Sequence, residues 1–149
     1  MGDVPSIAPL RIHAAGDTHI GGRGHNEDAV LLRPDLNLYL VGDGAGGHNA
    51  GHLASALATT AAAHYFEATQ ADAASAPPFD EMGLSWSARR LATAFQRANR
   101  EVREIAASAP RFEGMGTTLV AAYFDLANAT LVLAHVGDSR CYRLREGHL

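Results

Sequence analysis

The sequence has very little cysteine: Cys141 is the only one among its 149 residues. A disulfide needs two thiols, so none can form within this chain, and such sparse cysteine usage is typical of proteins in a reducing compartment. Long apolar runs are also absent, since no stretch approaches the roughly 20 residues of a membrane-spanning helix. Residues 1–16 lack the charged and then apolar segments of a secretory signal. These absences predict a soluble cytoplasmic protein with no membrane partner.

Basic charge is scarce as well. The chain has 12 Lys and Arg against 16 Asp and Glu, and its formal net charge is -4. No basic patch is available for nucleic acid, which excludes that class of partner. With 47% hydrophobic residues, the chain can bury one core, but its length is too short for two ordinary domains. We therefore expect a single domain over residues 1–149, with residues 1–9 as a flexible N-terminus.

Strand-like and helix-like segments separate clearly along the chain. The β-rich segments are residues 9–19, 28–34, 36–42, 117–125, 129–137 and 139–146. The pair Pro34-Asp35 predicts a turn between the second and third of them. An alanine-rich segment at 51–67 and an amphipathic segment at 87–108 predict helices, with a loop at 69–84 between them. Leu91, Phe95, Ala98, Val102 and Ile105 lie on one face of the second helix, with its arginines on the other. This order predicts an α+β fold with the helices on one face of an antiparallel sheet.

The segment LYLVGDGAGGHNAGH, residues 38–52, permits two interpretations. Gly42, Gly44 and Gly47 fit the G-x-G-x-x-G fingerprint of dinucleotide-binding proteins. Alternatively, Asp43 stands at the end of a strand as a carboxylate for a metal ion. The dinucleotide interpretation requires a second parallel strand that ends in an acidic residue about 20 positions later. Glu67 has that spacing but belongs to the predicted helix, so the sequence favours the metal.

Acidic residues recur at two other strand ends. In GGRGHNEDAV, Arg23 lies four positions before the pair Glu27-Asp28, and in HVGDSRCYR, Asp138 lies at a tight reversal. Each acidic position is close to glycine, and we expect the three to converge at one edge of a sheet sandwich. Mg²⁺ and Mn²⁺ prefer oxygen ligands, so carboxylates with few imidazole or thiolate partners are the expected lining.

The histidines and small residues around these motifs give weaker predictions. His48 and His52 have the spacing of two zinc ligands on a helix, but no third ligand or H-E-x-x-H glutamate accompanies them. We predict that His135 is a packed core residue. Gly46, Gly47 and Gly51 are predicted to serve backbone conformation and close helix packing. Thr117 and Thr118 open a strand and are interpreted as structural.

Four motifs in order resemble a known family. They are R-x-x-N-E-D at 23–28, V-x-D-G-x-G-G-H-x-x-G at 41–51, G-T-T at 116–118 and H-V-G-D-S-R at 135–140. This series resembles the metal-dependent PP2C-type (PPM) protein Ser/Thr phosphatases, most closely their bacterial branch, over residues 10–149. The resemblance implies an α-β-β-α sandwich with antiparallel sheets. It also implies hydrolysis of phosphoserine and phosphothreonine in phosphoprotein substrates, in opposition to bacterial Ser/Thr kinases.

The resemblance implies a metal centre with Mn²⁺ or Mg²⁺, two ions and a possible third. Asp43 matches the aspartate that bridges two ions, and Gly44 matches the glycine whose backbone carbonyl binds one of them. Glu27 matches the glutamate at the second ion, directly or through water. Asp138 matches an aspartate that helps to bind a third, weaker ion in bacterial members. Asp28 is expected to orient water or other ligands.

Two further residues have implied roles in substrate chemistry. Arg23 matches the arginine that grips the substrate phosphate, a role that suits its planar fork of donors. His48 stands where many bacterial relatives have histidine, and a role as general acid is conceivable. Eukaryotic members have their proposed acid histidine immediately after Asp-Gly, where this chain has Ala45, so the identity of the acid stays open.

One departure from the family separates two hypotheses. Family members continue beyond this point with S-D-G and D-N aspartates that complete the metal site, whereas this chain stops at LREGHL. The sandwich would therefore be incomplete at its C-terminus, and these residues alone would be catalytically inactive. The first hypothesis is a phosphoprotein phosphatase as the full-length protein. The alternative is an inactive phosphatase-like fragment or binding module.

Overall fold

The structure is a computed structural model that describes residues 10–46 and 50–149. The predicted flexible N-terminus, residues 1–9, and His48 lie outside these ranges. None of the helices found in the two described ranges is long and apolar enough to cross a membrane.

A β-hairpin opens the fold. Strands β1 (Asp28–Arg33) and β2 (Leu38–Ala45) pair antiparallel, and a 3₁₀ turn at Pro34–Leu36 joins them. Proline suits the first position of this turn because its φ is fixed near the helical value. Asn37 closes it in the left-handed conformation, with φ 53°, which asparagine tolerates better than most residues. The two predicted strands and the predicted turn are confirmed.

The remaining strands complete one antiparallel sheet. Strands β3 (Gly116–Thr117), β4 (Leu119–Asp125) and β5 (Thr130–Val136) follow the helices in the chain. The sheet order is β1-β2-β4-β5, and the short β3 pairs with the end of β2. The predicted strands at 117–125 and 129–137 are therefore confirmed, with a break between β3 and β4.

Two helices cover one face of this sheet. Helix α1 (Ala50–Ala68) is rich in alanine, and helix α2 (Trp86–Ser108) begins where the Ser85 side chain accepts a hydrogen bond from the Ala88 amide at 3.2 Å. Helix α2 ends just before Pro110, which disfavours helical conformation in the preceding residue. Both predicted helices are confirmed.

The core lies between the helices and the inner face of the sheet. It contains alternate residues of the central strands and the apolar stripes of both helices: Leu38, Leu40, Leu119, Ala121, Phe66, Leu91, Ala94, Ala98 and Val102. The alternation follows from the period of two in a strand that has one covered face. Burial therefore confirms an α+β fold with the helices on one side.

The opposite, outer face of the sheet is apolar and open. It carries Val30, Leu32, Tyr39, Val41, Val120, Ala122, Leu133 and His135, as the pairing register requires. Residues 14–17 lie against part of it, but Val41 remains 44% exposed and Leu133 48% exposed. Within residues 10–46 and 50–149, one sheet is present, and a sandwich requires two.

Two predicted strands are wrong. Residues 10–19 form no strand, and residues 139–146 contribute only an isolated bridge between Arg145 and His148. Both segments have strand-like composition, but β-propensity mainly reflects packing against neighbouring strands. In the described chain, neither segment has a ladder partner.

Two side chains are placed differently from the prediction. Arg90 was expected on the polar face of α2, but it is only 4% exposed. Its guanidinium lies 4.2 Å from the centre of the Phe66 ring and donates to the Phe66 carbonyl and to Thr69 Oγ1. Burial lowers the pKa of Arg90. His135 was expected in the core, but it is exposed because it lies on the outer face of the edge strand β5.

Candidate active site

The acidic strand ends meet at one end of the sheet. In the β1–β2 ladder, Asp28 is directly opposite Asp43, and in the β4–β5 ladder Leu119 is opposite Val136. Because the strands are antiparallel, the start of β1, the end of β2, the start of β4 and the end of β5 share this end. Directly opposed residues also project from the same face. Asp28 and Asp43 therefore stand side by side on the outer face.

A polar cleft of about 280 Å³ opens at this position. Its lining includes four residues that the sequence singled out, together with the turn before them: Arg23, Glu27, Asp28, Asp43, His19, Ile20, Gly21, Gly22, His25 and Asn26. The fold thus brings Arg23 into the same cleft as the acidic side chains, although 20 residues separate it from Asp43. A larger cavity of about 420 Å³ beside α2 has no acidic lining residue and does not suit metal chemistry.

Glu27 is fixed at the floor of the cleft. Its backbone carbonyl accepts hydrogen bonds from the Gly44 amide at 3.1 Å and from the Ser55 hydroxyl at 2.6 Å. Its side chain is 12% exposed, and Oε1 is buried with no hydrogen-bond partner among the described residues, while His25 Nε2 lies 3.4 Å away. A buried carboxylate oxygen without a partner is costly unless a cation or donor satisfies it. Its burial therefore makes Glu27 Oε1 a candidate to contact a cation or donor in the cleft.

Close contact between β2 and α1 depends on glycine. A Cβ atom at Gly44 would lie 2.0 Å from the Gly51 carbonyl oxygen, and one at Gly51 would lie 2.7 Å from Glu27 Cδ. A Cβ atom at Gly46 would lie 3.0 Å from the Gly51 amide nitrogen. The predicted packing role of Gly46 and Gly51 is confirmed. The absence of a side chain at Gly51 leaves the space that the Glu27 carboxylate occupies.

A short hydrogen-bond network orients Asp28. Thr18 Oγ1 donates to Asp28 Oδ2 at 2.8 Å, and Asn26 Nδ2 donates to Thr18 Oγ1 at 2.9 Å. The Asn26 side chain also accepts from the Asp28 amide at 3.0 Å. Sequence reasoning missed Thr18 and Asn26 as supporting residues. Asn26 could have been found from its place in the N-E-D motif, whereas nothing in the sequence pointed to Thr18.

The backbone of Asp43 is held by two threonines. Thr118 Oγ1 accepts from the Asp43 amide at 3.0 Å, and the Thr118 amide donates to the Asp43 carbonyl at 2.9 Å. Thr117 Oγ1 donates to the same carbonyl at 3.0 Å. The structural interpretation of both threonines is confirmed, and their structural task is to hold this aspartate.

Asp138 follows β5 at the same end of the sheet. It is exposed and does not line the cleft, so it is separate from the group formed by Glu27, Asp28 and Asp43. Its neighbour Ser139 has Oγ 2.7 Å from Thr118 Oγ1. The structure thus brings Asp138 to the predicted end of the sheet but not into contact with the cleft.

The carboxylate oxygens of the cleft are ligands of the kind that a hard divalent cation prefers. Three carboxylates line one cleft, and one of their oxygens is buried with no partner in the described ranges. Oxygen donors of this kind suit Mg²⁺ and Mn²⁺. In the part of the chain that the structure describes, no three His, Cys, Asp or Glu side chains form a complete cluster for one ion. The residues present therefore fit part of a metal site.

Comparison with known proteins agrees with the resemblance that the four sequence motifs suggest. A family model described as protein phosphatase 2C matches residues 15–149. The serine/threonine protein phosphatase PstP of Mycobacterium tuberculosis is 39% identical over 127 residues, which cover 85% of this chain and 21% of that protein. The serine/threonine phosphatase stp of Listeria innocua is 37% identical, with 83% of this chain and 46% of that protein covered.

Solved structures agree. The catalytic domain of the serine/threonine protein phosphatase PstP in complex with two manganese ions superposes with a TM-score of 0.63 and 36% identity. The match covers 84% of this chain and 47% of that one. The chain therefore spans between about a fifth and about half of the length of these relatives.

Proposed function

Because this chain belongs to the protein phosphatase 2C family, we propose that its cleft hydrolyses phosphoserine and phosphothreonine in protein substrates with the help of divalent metal ions. The observation that supports this most directly is the cleft itself, where Arg23 shares the lining with Glu27, Asp28 and Asp43. A phosphate monoester needs both a cationic clamp and charge neutralisation, and this lining offers residues for each. The proposal concerns the full-length protein, since the chain spans only part of its relatives.

Glu27 and Asp43 would hold the ions, with the Gly44 carbonyl as a further oxygen ligand. When bound, Mn²⁺ or Mg²⁺ supplies Lewis acidity toward water and toward the phosphoryl oxygens. Support comes from Glu27 Oε1, which is buried and has no hydrogen-bond partner within residues 10–46 and 50–149, and from the placement of Asp43 across the ladder from Asp28. The PstP structure with two manganese ions favours the same two-ion composition here. Asp138 is proposed to contribute to a third, weaker site.

The other residues of the cleft would bind and orient. Arg23 is exposed at the rim, where its planar fork of donors can take two phosphate oxygens at once. Asp28, held by Thr18, would accept a hydrogen bond from the attacking water and orient it. The general acid that gives a proton to the leaving alkoxide is proposed to be His48, which lies outside the described residues.

The substrates and the compartment follow from the same proposal. The names of the relatives support phosphorylated proteins as substrates, and Ser/Thr kinases and their targets are the proposed partners. The single cysteine supports the cytoplasm as the compartment.

A second candidate function is a phosphatase-like binding module without turnover. The observation that favours it is the lack of a complete three-residue metal cluster among the described residues. Such a module would bind a phosphorylated peptide through Arg23 but release no phosphate from it.

Phosphate release separates the two functions. Purified full-length protein is incubated with a phosphothreonine peptide and millimolar Mn²⁺, with an EDTA-treated sample and an Asp43→Asn variant as controls. Hydrolysis in the wild-type sample alone supports the enzyme. Peptide binding without release, at any Mn²⁺ concentration up to millimolar, contradicts the enzyme and supports the module.

A further inference from the structure

The Thr118 side chain connects the backbone of Asp43 in the cleft to the turn that carries Asp138 after β5. Thr118 Oγ1 lies 3.0 Å from the Asp43 amide nitrogen on one side and 2.7 Å from Ser139 Oγ on the other. Ser139 directly follows Asp138 in the chain. The backbone of the cleft aspartate is therefore connected to the Asp138 turn through two hydroxyl groups.

The chemistry of a hydroxyl group allows both contacts at once. Thr118 Oγ1 uses one lone pair for the Asp43 amide, and it retains its own proton and a second lone pair for Ser139. Its backbone amide is also fixed, because it donates to the Asp43 carbonyl at 2.9 Å. Thr118 thus has little freedom to move away from Asp43, and whatever bonds to its hydroxyl is fixed relative to that residue.

The turn is shaped to fit against the same side chain. Gly137 has φ +93°, and a Cβ atom at this position would lie 2.7 Å from Thr118 Cγ2. A side chain at Gly137 would therefore be strained by its φ and would collide with the threonine methyl group. The glycine allows residues 137–139 to close over Thr118, with the methyl group under Gly137 and the hydroxyl group against Ser139.

The ladder alone does not hold this turn. Its last pair is Leu119 with Val136, two residues before Asp138. Among the described residues, no backbone hydrogen bond outside the ladder joins residues 137–140 to the rest of the fold. The Thr118–Ser139 hydrogen bond, together with the packing of Gly137 on the Thr118 methyl group, restrains the turn beyond the end of β5.

We propose that Thr118 and Ser139 are positioning residues, which tie the turn that carries Asp138 to the backbone of Asp43 and so fix the separation of these two acidic residues. The inference rests on the proposed function, in which both aspartates take part in binding metal ions. Metal binding at Asp43 and metal binding at Asp138 would then be coupled through this connection. Loss of the Ser139 hydroxyl would weaken binding at Asp138 first.

A double-mutant cycle tests the connection in the full-length protein, with Mn²⁺ alone as the probe and calorimetry as the readout. Ser139→Ala should weaken the weakest Mn²⁺ binding step about three- to tenfold, the range expected for one hydrogen bond. Asp138→Asn should weaken the same step, and the double variant should bind no more weakly than Asp138→Asn. Additive losses would show that Ser139 does not act through Asp138, and would overturn the proposal.

Two substitutions at Thr118 separate the effect of its hydroxyl group from the effect of its shape. Thr118→Val keeps the shape but removes the hydroxyl, and it should weaken the same binding step. Thr118→Ser keeps the hydroxyl and should restore binding to within about twofold of wild type. Ser108→Ala removes an exposed hydroxyl whose one hydrogen bond to the described residues stays within its own helix, and it should leave Mn²⁺ binding unchanged. If Thr118→Val and Thr118→Ser behave alike, the hydroxyl is not the positioning group.

A spectroscopic readout separates this inference from the proposed function. If wild-type protein binds Mn²⁺ but releases no phosphate, the proposed function is contradicted. The double-mutant cycle of Ser139 and Asp138 still tests the positioning role in that case. If wild-type protein binds no Mn²⁺, the NMR resonance of the Asp138 backbone amide tests the positioning role instead. That resonance should shift in Thr118→Val and remain in place in Ser108→Ala. An unchanged resonance in Thr118→Val would overturn the connection.

Discussion

Alanine substitutions at Gly44 and at Gly51 should have different effects. Gly44→Ala should mainly lower the stability of the fold, whereas Gly51→Ala should mainly lower its affinity for Mn²⁺. At Gly44, a new Cβ atom would lie 2.0 Å from the Gly51 carbonyl oxygen and 2.6 Å from the Glu27 carbonyl oxygen. Both obstacles are backbone atoms, so the start of α1 would have to retreat by about 1 Å to reach the 3.0 Å that Cβ contacts require. No side-chain rotation can relieve this collision.

The expected change in the free energy of unfolding of Gly44→Ala follows from two opposing effects. Alanine in place of glycine gains about 0.5–1 kcal/mol in a strand, because the unfolded chain loses freedom. Overpacking costs about 1–3 kcal/mol and more when backbone must move. For Gly44→Ala the collision dominates, and we expect a loss of at least about 2 kcal/mol, a large fraction of the 5–15 kcal/mol of a typical domain.

The same change at Gly51 should act differently. Its new Cβ atom would lie 2.7 Å from Glu27 Cδ and 2.8 Å from Oε1, which belong to a side chain that can move. A backbone atom, the Ala45 nitrogen, is 2.9 Å away, so some strain remains. Alanine also gains about 1 kcal/mol in a helix. We expect a stability change below about 1.5 kcal/mol, with Mn²⁺ affinity reduced about tenfold or more because the carboxylate is displaced.

Two measurements on the full-length protein check this pair. Urea denaturation in EDTA gives the free energy of unfolding, and calorimetry gives Mn²⁺ affinity. Gly116→Ala is the matched control, since a Cβ atom at this strand position meets no atom of the described residues within 4 Å. If Gly44→Ala unfolds at the same urea concentration as Gly116→Ala, that result contradicts the close contact between β2 and α1. Unchanged Mn²⁺ affinity in Gly51→Ala would refute the link between this glycine and the Glu27 carboxylate.

Four other predictions concern the site and the core. Asp43→Asn should lower Mn²⁺-dependent hydrolysis of an aryl phosphate more than tenfold, and retention of more than about a tenth of the activity, a loss under 1.4 kcal/mol in barrier, would contradict its bridging role. Arg23→Ala should lower kcat/KM while calorimetry shows unchanged Mn²⁺ affinity, and a loss of that affinity would disprove the phosphate clamp. Residues 1–149 alone should bind a hydrophobic dye through the open sheet face and release no phosphate, whereas turnover by a monomeric fragment would show that its own acidic groups suffice. Arg90→Ala should lower the free energy of unfolding by about 2–3 kcal/mol, because the Phe66 carbonyl loses a buried donor, and a change below 0.5 kcal/mol in urea denaturation would exclude this role.

The sequence predicted best what depends on local pattern. The alternation in 36–42 and the helical stripe in 87–108 each match an element of the structure, because one covered face imposes its period on the residues. The acidic strand ends were also placed at the correct end of the sheet. Antiparallel connectivity brings the start of β1 to the end of β2, and the length of the turn sets the register that places Asp28 opposite Asp43.

What the sequence could not predict depends on partners distant in the chain. The strand expected at 139–146 would need a neighbouring ladder, and composition does not report whether one exists. Arg90 looked like a surface residue of α2, since only the folded structure reveals Phe66 and Thr69 beside it. Thr18 was missed for the same reason, because its contact with Asp28 spans an irregular segment.

The turn between β1 and β2 has a consequence for insertions and deletions. It lies at the far end of the hairpin from the cleft, yet the register that begins at Arg33 opposite Leu38 runs unbroken to Asp28 opposite Asp43. One residue added to or removed from 34–37 would slip this register, and a slip by one residue moves every side chain of β1 to the other face. Asp28 would then point toward the helices. The length of a distant surface turn should therefore be as intolerant of change as the acidic residues themselves.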